Sequence, residues 1–277
     1  MFLNFTFYAE ALGREREGVR RMDRVELLDG ERLDKVNERL SLICKKDGLT
    51  FGTDAYLLAA FIRRSPSAVS VELGAGTGII SMLLSSKERV GKISAVEVQE
   101  DFASLAERNV RLNGLEDKIK VINGDIRGMS SRDVGGEADI VFTNPPYMRT
   151  DSGKRNISDR KNIARHEVLG GIEDFCAAAG RMLRHGGKFY CVWRPDRLSE
   201  LFSAMSKYKL EPKVMEFVHA DEDTEPSMVL ICATKGGAPS MRIMPPLLLH
   251  DRDSRGDLAR KMSERAEKIY GTMSFYE

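Results

Sequence analysis

The chain has 277 residues, 42% of them hydrophobic and 31% charged, enough to bury a full core in one large domain with a small appendage. Forty-three Lys/Arg stand against 42 Asp/Glu, so global charge gives no reason to expect nucleic acid, and any such surface has to be a local patch. The four cysteines, Cys44, Cys176, Cys191 and Cys232, have no close partner in sequence: they fit reduced thiols in a cytoplasmic protein, give no metal-ligand spacing, and no apolar run approaches the roughly 20 residues needed to cross a bilayer.

Residues 1–12 are fairly apolar but carry Asn4, Thr6 and Glu10 and lack a preceding basic cluster, so a signal peptide is not expected. Residues 1–21 read as an extension outside the folded unit, because Gly13 to Gly18 have no apolar periodicity. Residues 22–65 read as a small amino-terminal subdomain. It holds extended pieces at 25–28 and 40–45, a turn at Asp47-Gly48, and a helix from Thr53, which can cap it, with Leu57, Leu58, Phe61 and Ile62 at helical spacing up to Ser65-Pro66.

Residues 66–240 form the main domain, in which short apolar runs alternate with helical patterns as in a doubly wound α/β fold with a parallel sheet. Strands are expected at 68–73, 92–98, 119–122, 138–142 and 187–193, and helices at 79–85, 99–112, 172–184 and 196–207. The second helix carries Phe102, Leu105, Ala106 and Val110 on one face and stops at Asn113-Gly114. Residues 213–218 and 228–234 read as a closing antiparallel pair, with the acidic run 221–225 as a solvated hairpin tip. Residues 241–277 add a strand at 241–244, Pro245-Pro246, and a helix over 257–270.

Two motifs carry chemistry. The first is the turn Glu72-Leu73-Gly74-Ala75-Gly76-Thr77-Gly78, which follows an apolar strand and opens a helix, where backbone can come close to a nucleotide-like cofactor. Glu97, 19 residues beyond Gly78 at the end of the next strand, stands where an acid accepts ribose hydroxyls. A dinucleotide site would want Gly-x-Gly-x-x-Gly under a pyrophosphate, whereas acid at Glu72 repels pyrophosphate and welcomes a sulfonium and an amino group. That favours S-adenosylmethionine. Asp125, in Asn123-Gly124-Asp125, is placed either to bind the adenine amino group of that cofactor or to cap a helix at Ile126. Phe51-Gly52-Thr53-Asp54 stands at a helix start, where Thr53 and Asp54 either line the methionine end of the cofactor or only make a capping turn.

The second motif is Asn144-Pro145-Pro146-Tyr147, directly after the apolar run 138–142. It offers an amide oxygen, a carbonyl corner held by two proline rings, and a flat aromatic face. Those parts suit a planar NH2 group. Adenine's exocyclic nitrogen is conjugated into its ring and a poor nucleophile. Hydrogen bonds from its protons to the Asn144 oxygen and the Pro145 carbonyl draw it toward tetrahedral geometry, while Tyr147 stacks on the base. A base within a duplex cannot reach such a pocket, so the target is unpaired or flipped out. The segment beyond it has no apolar periodicity and holds Arg149, Lys154, Arg155, Arg160, Lys161 and Arg165 against Asp151 and Asp159. It reads as a phosphate-contacting flap or as a merely solvated loop, with His166 and Glu167 either ordering it or capping the next helix.

The order of Glu31-Arg32-Leu33-Asp34, Phe51 to Ala55, the glycine turn, Asn109 through Asn113-Gly114-Leu115, Gly124-Asp125, Asn144 to Tyr147, His166-Glu167 and Pro245-Pro246-Leu247 resembles the bacterial tRNA1(Val) adenine-N6 methyltransferases, over about residues 22–250. The resemblance implies a class I S-adenosylmethionine-dependent methyltransferase with a seven-stranded, mostly parallel sheet whose last strand is antiparallel. It also implies methylation of the adenine just 3′ of the anticodon of a valine tRNA. Asn-Pro-Pro-Tyr also occurs in DNA adenine methyltransferases, in variant form in rRNA guanine-N2 enzymes, and in release-factor glutamine methyltransferases, which leaves those as rival readings. The chain departs from the family pattern in its first 21 residues and at 221–228, which lacks the basic or small residues expected there.

Overall fold

A computed structural model describes residues 26–46, 51–146, 170–252 and 260–276. The expected 1–21 extension, Tyr147 and the cationic segment 149–165 lie outside the described residues. An antiparallel hairpin, β1 (Glu31–Lys35) with β2 (Ser41–Lys45), comes first and is followed by α1 (Thr53–Phe61). Of the extended piece expected at 25–28, residues 26–28 are not a strand: Leu27 and Leu28 are exposed, the chain reverses at Gly30 with φ +80°, and pairing begins at Glu31. Alternation in Glu31–Lys35 is weak because β1 is only half buried, so its period was masked by charged residues.

The alternating region gives β3 (Ser70–Leu73), α2 (Ile79–Ser86), β4 (Ile93–Glu97), α3 (Glu100–Leu112), β5 (Ile119–Asn123), β6 (Ala138–Thr143), α4 (Ile172–Met182), β7 (Leu183–Trp193), α5 (Leu198–Lys207), β8 (Leu210–His219) and β9 (Pro226–Lys235). Across the sheet the order is β5, β4, β3, β6, β7, β9, β8, all parallel except β9, which lies between β7 and β8. These are the seven expected strands. Two short additions, β10 (Arg242–Ile243) and β11 (Leu247–Leu248), pair parallel with β8, making nine strands in all. The helix expected to run to residue 184 stops at Met182, because Leu183 turns to extended backbone and pairs with Ala138.

Period-two alternation sorts each strand's side chains into two layers. Ile140, Phe142, Tyr190, Val192 and Leu230 face a core shared with α1, α2, the hairpin and α6 (Glu264–Thr272). Val71, Leu73, Val141, Phe189, Cys191 and Ile231 face a core shared with α4 and α5. The last helix begins later than the sequence suggests because Ser263, not residue 257, caps it, accepting from Ala266 N at 3.1 Å. The acidic run is not a solvated tip throughout: Asp221 is buried and held by Arg260 at 3.1 Å and by the Thr224 turn. Among the described residues no helix is long and apolar enough to cross a membrane.

Candidate active site

Because β3, β4, β5 and β6 are parallel, their carboxyl ends lie side by side, with the strand order reversing about β3 and β6. A crevice outside those ends is where open α/β sheets hold ligands. There, a cavity of about 190 Å³ is lined by Gly74 and Gly76, by Glu97, Val98 and Gln99 after β4, by Asp125 and Ile126 after β5, by Asn144 and Pro146 after β6, and by Phe175 of α4. The glycine turn and the asparagine corner therefore face one shared space.

The turn is left-handed at Gly74, Gly76 and Gly78, with φ of +71°, +55° and +81°. A side chain at Gly74 would also press on Phe175, whose Cε1 lies 3.3 Å from where a β-carbon would stand, whereas around Gly76 that position is open. So Gly76 offers bare backbone to a ligand. Gly78 does not line the cavity; it is the N-cap of α2 and packs toward Ala106.

Glu97 is buried, and its two carboxylate oxygens accept from Gly76 N at 2.8 Å and Gln99 N at 2.9 Å. One carboxylate thus clasps the glycine turn to the loop after β4. Asp125 accepts from Arg127 N at 2.9 Å and takes the Arg127 guanidinium on both oxygens, which holds its carboxyl below the usual carboxylate range. There is no helix at Ile126 for it to cap, only a turn. That turn is secured by Arg181, which donates to the carbonyls of Ile126 and Met129.

Glu72 lies beneath the turn and not in the cavity. It is 1% exposed and accepts from the Ser81 hydroxyl and from Ser81 N at 3.2 Å. Burial pushes its carboxyl up to about 8, Ser81 pulling the other way and the charge of Glu97 adding to the rise. The electrostatic contrast drawn from sequence, an acid repelling pyrophosphate at the turn, therefore falls to Glu97 and Asp125, which do line the cavity.

At the acceptor end, Thr143 Oγ1 donates to Leu73 O at 2.8 Å and fixes the end of β6 to the end of β3. Asn144 Nδ2 then donates to Asp54 Oδ2 at 2.9 Å. A carboxylate only accepts, so the amide is oriented: its nitrogen faces Asp54 and its Oδ1 faces the other way. That Oδ1 is buried and has no hydrogen-bond partner among the described residues. Buried polar atoms are almost always satisfied, so this unmet acceptor, on a residue that lines the cavity, is a candidate for a donor from a ligand. Pro145 is buried, and Pro146 is the proline that reaches the cavity.

Asp54 thus acts through Asn144 and not as a cavity wall. Thr53 is not the cap of α1, since Gly52 occupies that position without a side-chain bond; Thr53 is the first residue of the helix itself. Sequence reasoning missed Val98, Gln99, Ile126 and Phe175, whose residue types are those of ordinary core or loop. It also missed what Asn109 and Asn113 do. Their side-chain amides pair with the backbone of Ile43 and Ser41 in β2, and Asn109 Nδ2 donates to Thr77 O at 3.1 Å, tying the hairpin to the glycine turn. Among the described residues no group of His, Cys, Asp or Glu is arranged to hold a metal ion.

Strand order, left-handed glycine turn and oriented asparagine corner together define an S-adenosylmethionine-dependent methyltransferase of class I, and a family model described as the methyltransferase small domain matches residues 45–210. A crystal structure of a predicted O-methyltransferase from Agrobacterium tumefaciens has the same fold, with a TM-score of 0.64 at 20% identity over 81% of this chain and 98% of that one. The tRNA1(Val) (adenine(37)-N6)-methyltransferase of Phocaeicola vulgatus is 30% identical over 180 residues, 65% of this chain and 74% of that protein. The protein of the same name from Pedobacter heparinus is 25% identical over 192 residues, 69% of this chain and 80% of that protein. The chain belongs to the methyltransferase small domain family and, with these relatives, to the tRNA1(Val) (adenine(37)-N6)-methyltransferases.

Proposed function

We propose that this protein methylates the exocyclic N6 of an adenine in tRNA, at position 37 of tRNA1(Val), the reaction for which its relatives are named. The observation that carries the reading is the buried Asn144 Oδ1, turned away from Asp54 and without a partner among the described residues, on a residue that lines the same cavity as the glycine turn and Glu97. S-Adenosylmethionine, when bound, supplies a methyl group on a sulfonium that is already an activated leaving group. Its adenosine end is assigned to Gly74, Gly76, Glu97 and Asp125, with the apolar Val98 and Ile126 offering flanks to a flat ring. Gly78 and Glu72 support that end from below, and Asp54, in the first turn of the helix that Thr53 begins, supports the clamp.

Asn144 Oδ1 accepts one proton of the target NH2, and the carbonyl of Pro145, a residue with no N–H of its own, accepts the other. Both bonds localise the nitrogen lone pair and aim it at the methyl carbon. No strong base is needed before attack, because the proton lost from N6 becomes acidic only as the new C–N bond forms. Holding reactants in line in this way is worth orders of magnitude in rate. Tyr147 as a stacking face, and Arg149, Lys154, Arg155, Arg160, Lys161 and Arg165 as phosphate contacts, extend the proposal into residues outside those described. The tRNA substrate and four cysteines that are all buried and unpaired support a cytoplasmic setting.

The test is transfer from labelled S-adenosylmethionine to total tRNA from a strain lacking the gene, read by nucleoside mass spectrometry and by nuclease mapping of the modified position. N6-Methyladenosine next to the valine anticodon is expected. Methyl appearing on a glutamine of release factor, with none in tRNA, would overturn the reading.

A further inference from the structure

The hairpin strand β2 pairs with β1 on one side and turns its other edge to α3. Ser41 and Ile43, two residues apart, point their peptide groups along that edge in the same direction. Asn109 in the last turn of α3 and Asn113 at its C-cap meet them. Two strand residues span about 6.6 Å and four helical residues about 6 Å, so the two repeats match. Asn113 Oδ1 accepts from Ser41 N at 3.0 Å while its Nδ2 donates to Ser41 O at 2.8 Å, and Asn109 does the same for Ile43 at 2.7 and 3.2 Å. The two amides differ in what else they hold. Asn113 Nδ2 turns back to its own helix, onto Asn109 O at 2.7 Å, whereas Asn109 Nδ2 reaches Thr77 O at 3.1 Å inside the glycine turn. Thr77 stands between Gly76, which lines the cavity, and Gly78, both of which rotate at little steric cost. Other peptide groups of the turn are pinned: Gly74 N and Ala75 N on Val96 O at 2.9 Å, Gly76 N on Glu97, and Gly78 N on Ala75 O at 2.8 Å. Ser81 N, one turn on from Thr77, is engaged by Glu72, and the buried Asn109 amide is what meets the Thr77 carbonyl.

We infer that Asn109 is a positioning residue for S-adenosylmethionine: it fixes the Thr77 carbonyl, and with it the backbone from Gly76 to Gly78, and it couples that turn to the β1–β2 hairpin. This deepens the reading above and rests on the glycine turn holding the cofactor. A turn free to rotate at two glycines has the binding shape for only part of the time, and apparent affinity falls by that fraction. Asn109 removes the loss before the cofactor arrives. Coupling of this kind is reciprocal, so a cofactor that steadies Thr77 also steadies Asn109 and, through it, the Ile43 peptide of the hairpin.

Asn113 is a control built into the fold. Asn109→Ala and Asn113→Ala each strip one β2 residue of its amide partner, but only the first frees Thr77. Affinity for S-adenosylhomocysteine, the demethylated cofactor, should drop about tenfold by calorimetry in Asn109→Ala and stay within about twofold in Asn113→Ala. KM for S-adenosylmethionine should rise by the same tenfold in Asn109→Ala, with kcat within about twofold. An equal loss of affinity in the two variants would mark a merely structural role of the hairpin and overturn the inference. So would unchanged affinity in Asn109→Ala while Glu97→Gln weakens binding. Unchanged affinity in Glu97→Gln as well would instead take the cofactor away from the glycine turn, and the role of Asn109 with it. A readout that needs no variant is amide hydrogen exchange in the wild-type protein. Saturating S-adenosylhomocysteine should slow exchange at Ile43 about tenfold and at Ser41 several-fold less, because only the Ile43 clasp continues to the turn. Equal slowing at both amides, or none at Ile43, would overturn the coupling.

Discussion

The two ends of the cavity are built on opposite terms. At the glycine end the polar groups already have partners within the chain: Glu97 is held by Gly76 N and Gln99 N, and Asp125 by Arg127. At the asparagine end the side chain is equally well oriented, yet its acceptor has no partner among the described residues. On the proposed reading, the first end is a finished platform that a cofactor joins, and the second a single poised atom that becomes satisfied when a substrate amine arrives. Binding and chemistry should therefore separate by residue. The largest effect follows from Asn144→Ala, which is expected to reduce transfer about 100- to 1,000-fold, the cost of one preorganised transition-state hydrogen bond. Cofactor affinity by calorimetry should stay within about threefold. Loss of both together would show the two ends to be one.

The converse change is Glu97→Gln, which leaves a cavity wall of the same size but removes the charge from both backbone N–H bonds and from any ribose hydroxyl. Hydrogen bonds to a charged group are worth about 1.5–3 kcal/mol, so cofactor affinity should fall roughly 10- to 100-fold, with kcat at saturating cofactor changed far less. A smaller and purely electrostatic effect is expected for Arg155→Ala combined with Lys161→Ala. Affinity for tRNA should drop several-fold, and the plot of log affinity against log salt should flatten by about 1.4, two contacts at roughly 0.7 each for single strands. An unchanged slope would remove those cations from the interface.

Much of this division was legible in residue order, for reasons that differ along the chain. Apolar runs of β3, β4, β6 and β7 are buried on both faces, so they stand out between helical patterns, and the glycine turn and Asn144 corner declare themselves because so few residue types can do their work. What was not legible depends on contacts far apart in sequence. Phe175 has the spacing of any core residue in α4, and only the approach of Gly74 turns it into a cavity wall. Tyr56 looks like any residue of α1 until Tyr270, more than 200 residues later, accepts its hydroxyl on the backbone and stacks on its ring. Asp221 belongs to an acidic run that reads as solvent-exposed, and Arg260 is what buries it. Charge and polarity predict exposure only while no partner from elsewhere arrives.

Glu72 gives the smallest and sharpest test of the comparison, since it belongs to the glycine motif but lies outside the cavity. In the folded protein its carboxyl keeps a proton up to about 8, whereas its ordinary value is 4.5. Between those two values the folded state binds more protons than the unfolded one, so stability falls as pH rises. The favourable contribution is complete below about 4.5 and is lost as pH climbs through about 8. Glu72→Gln has no charge to bury and can still accept from Ser81. Its melting temperature should therefore vary less with pH over that window and should exceed that of wild type by about 2–4 °C per kcal/mol of relieved burial cost above pH 8. If Glu72 acts only as a post beneath the turn, cofactor affinity in this variant stays within about twofold of wild type, an amide being nearly isosteric with the carboxyl it replaces. A collapse of affinity would instead put the acid in contact with the cofactor, and the glycine end would no longer be a finished platform but a second poised one.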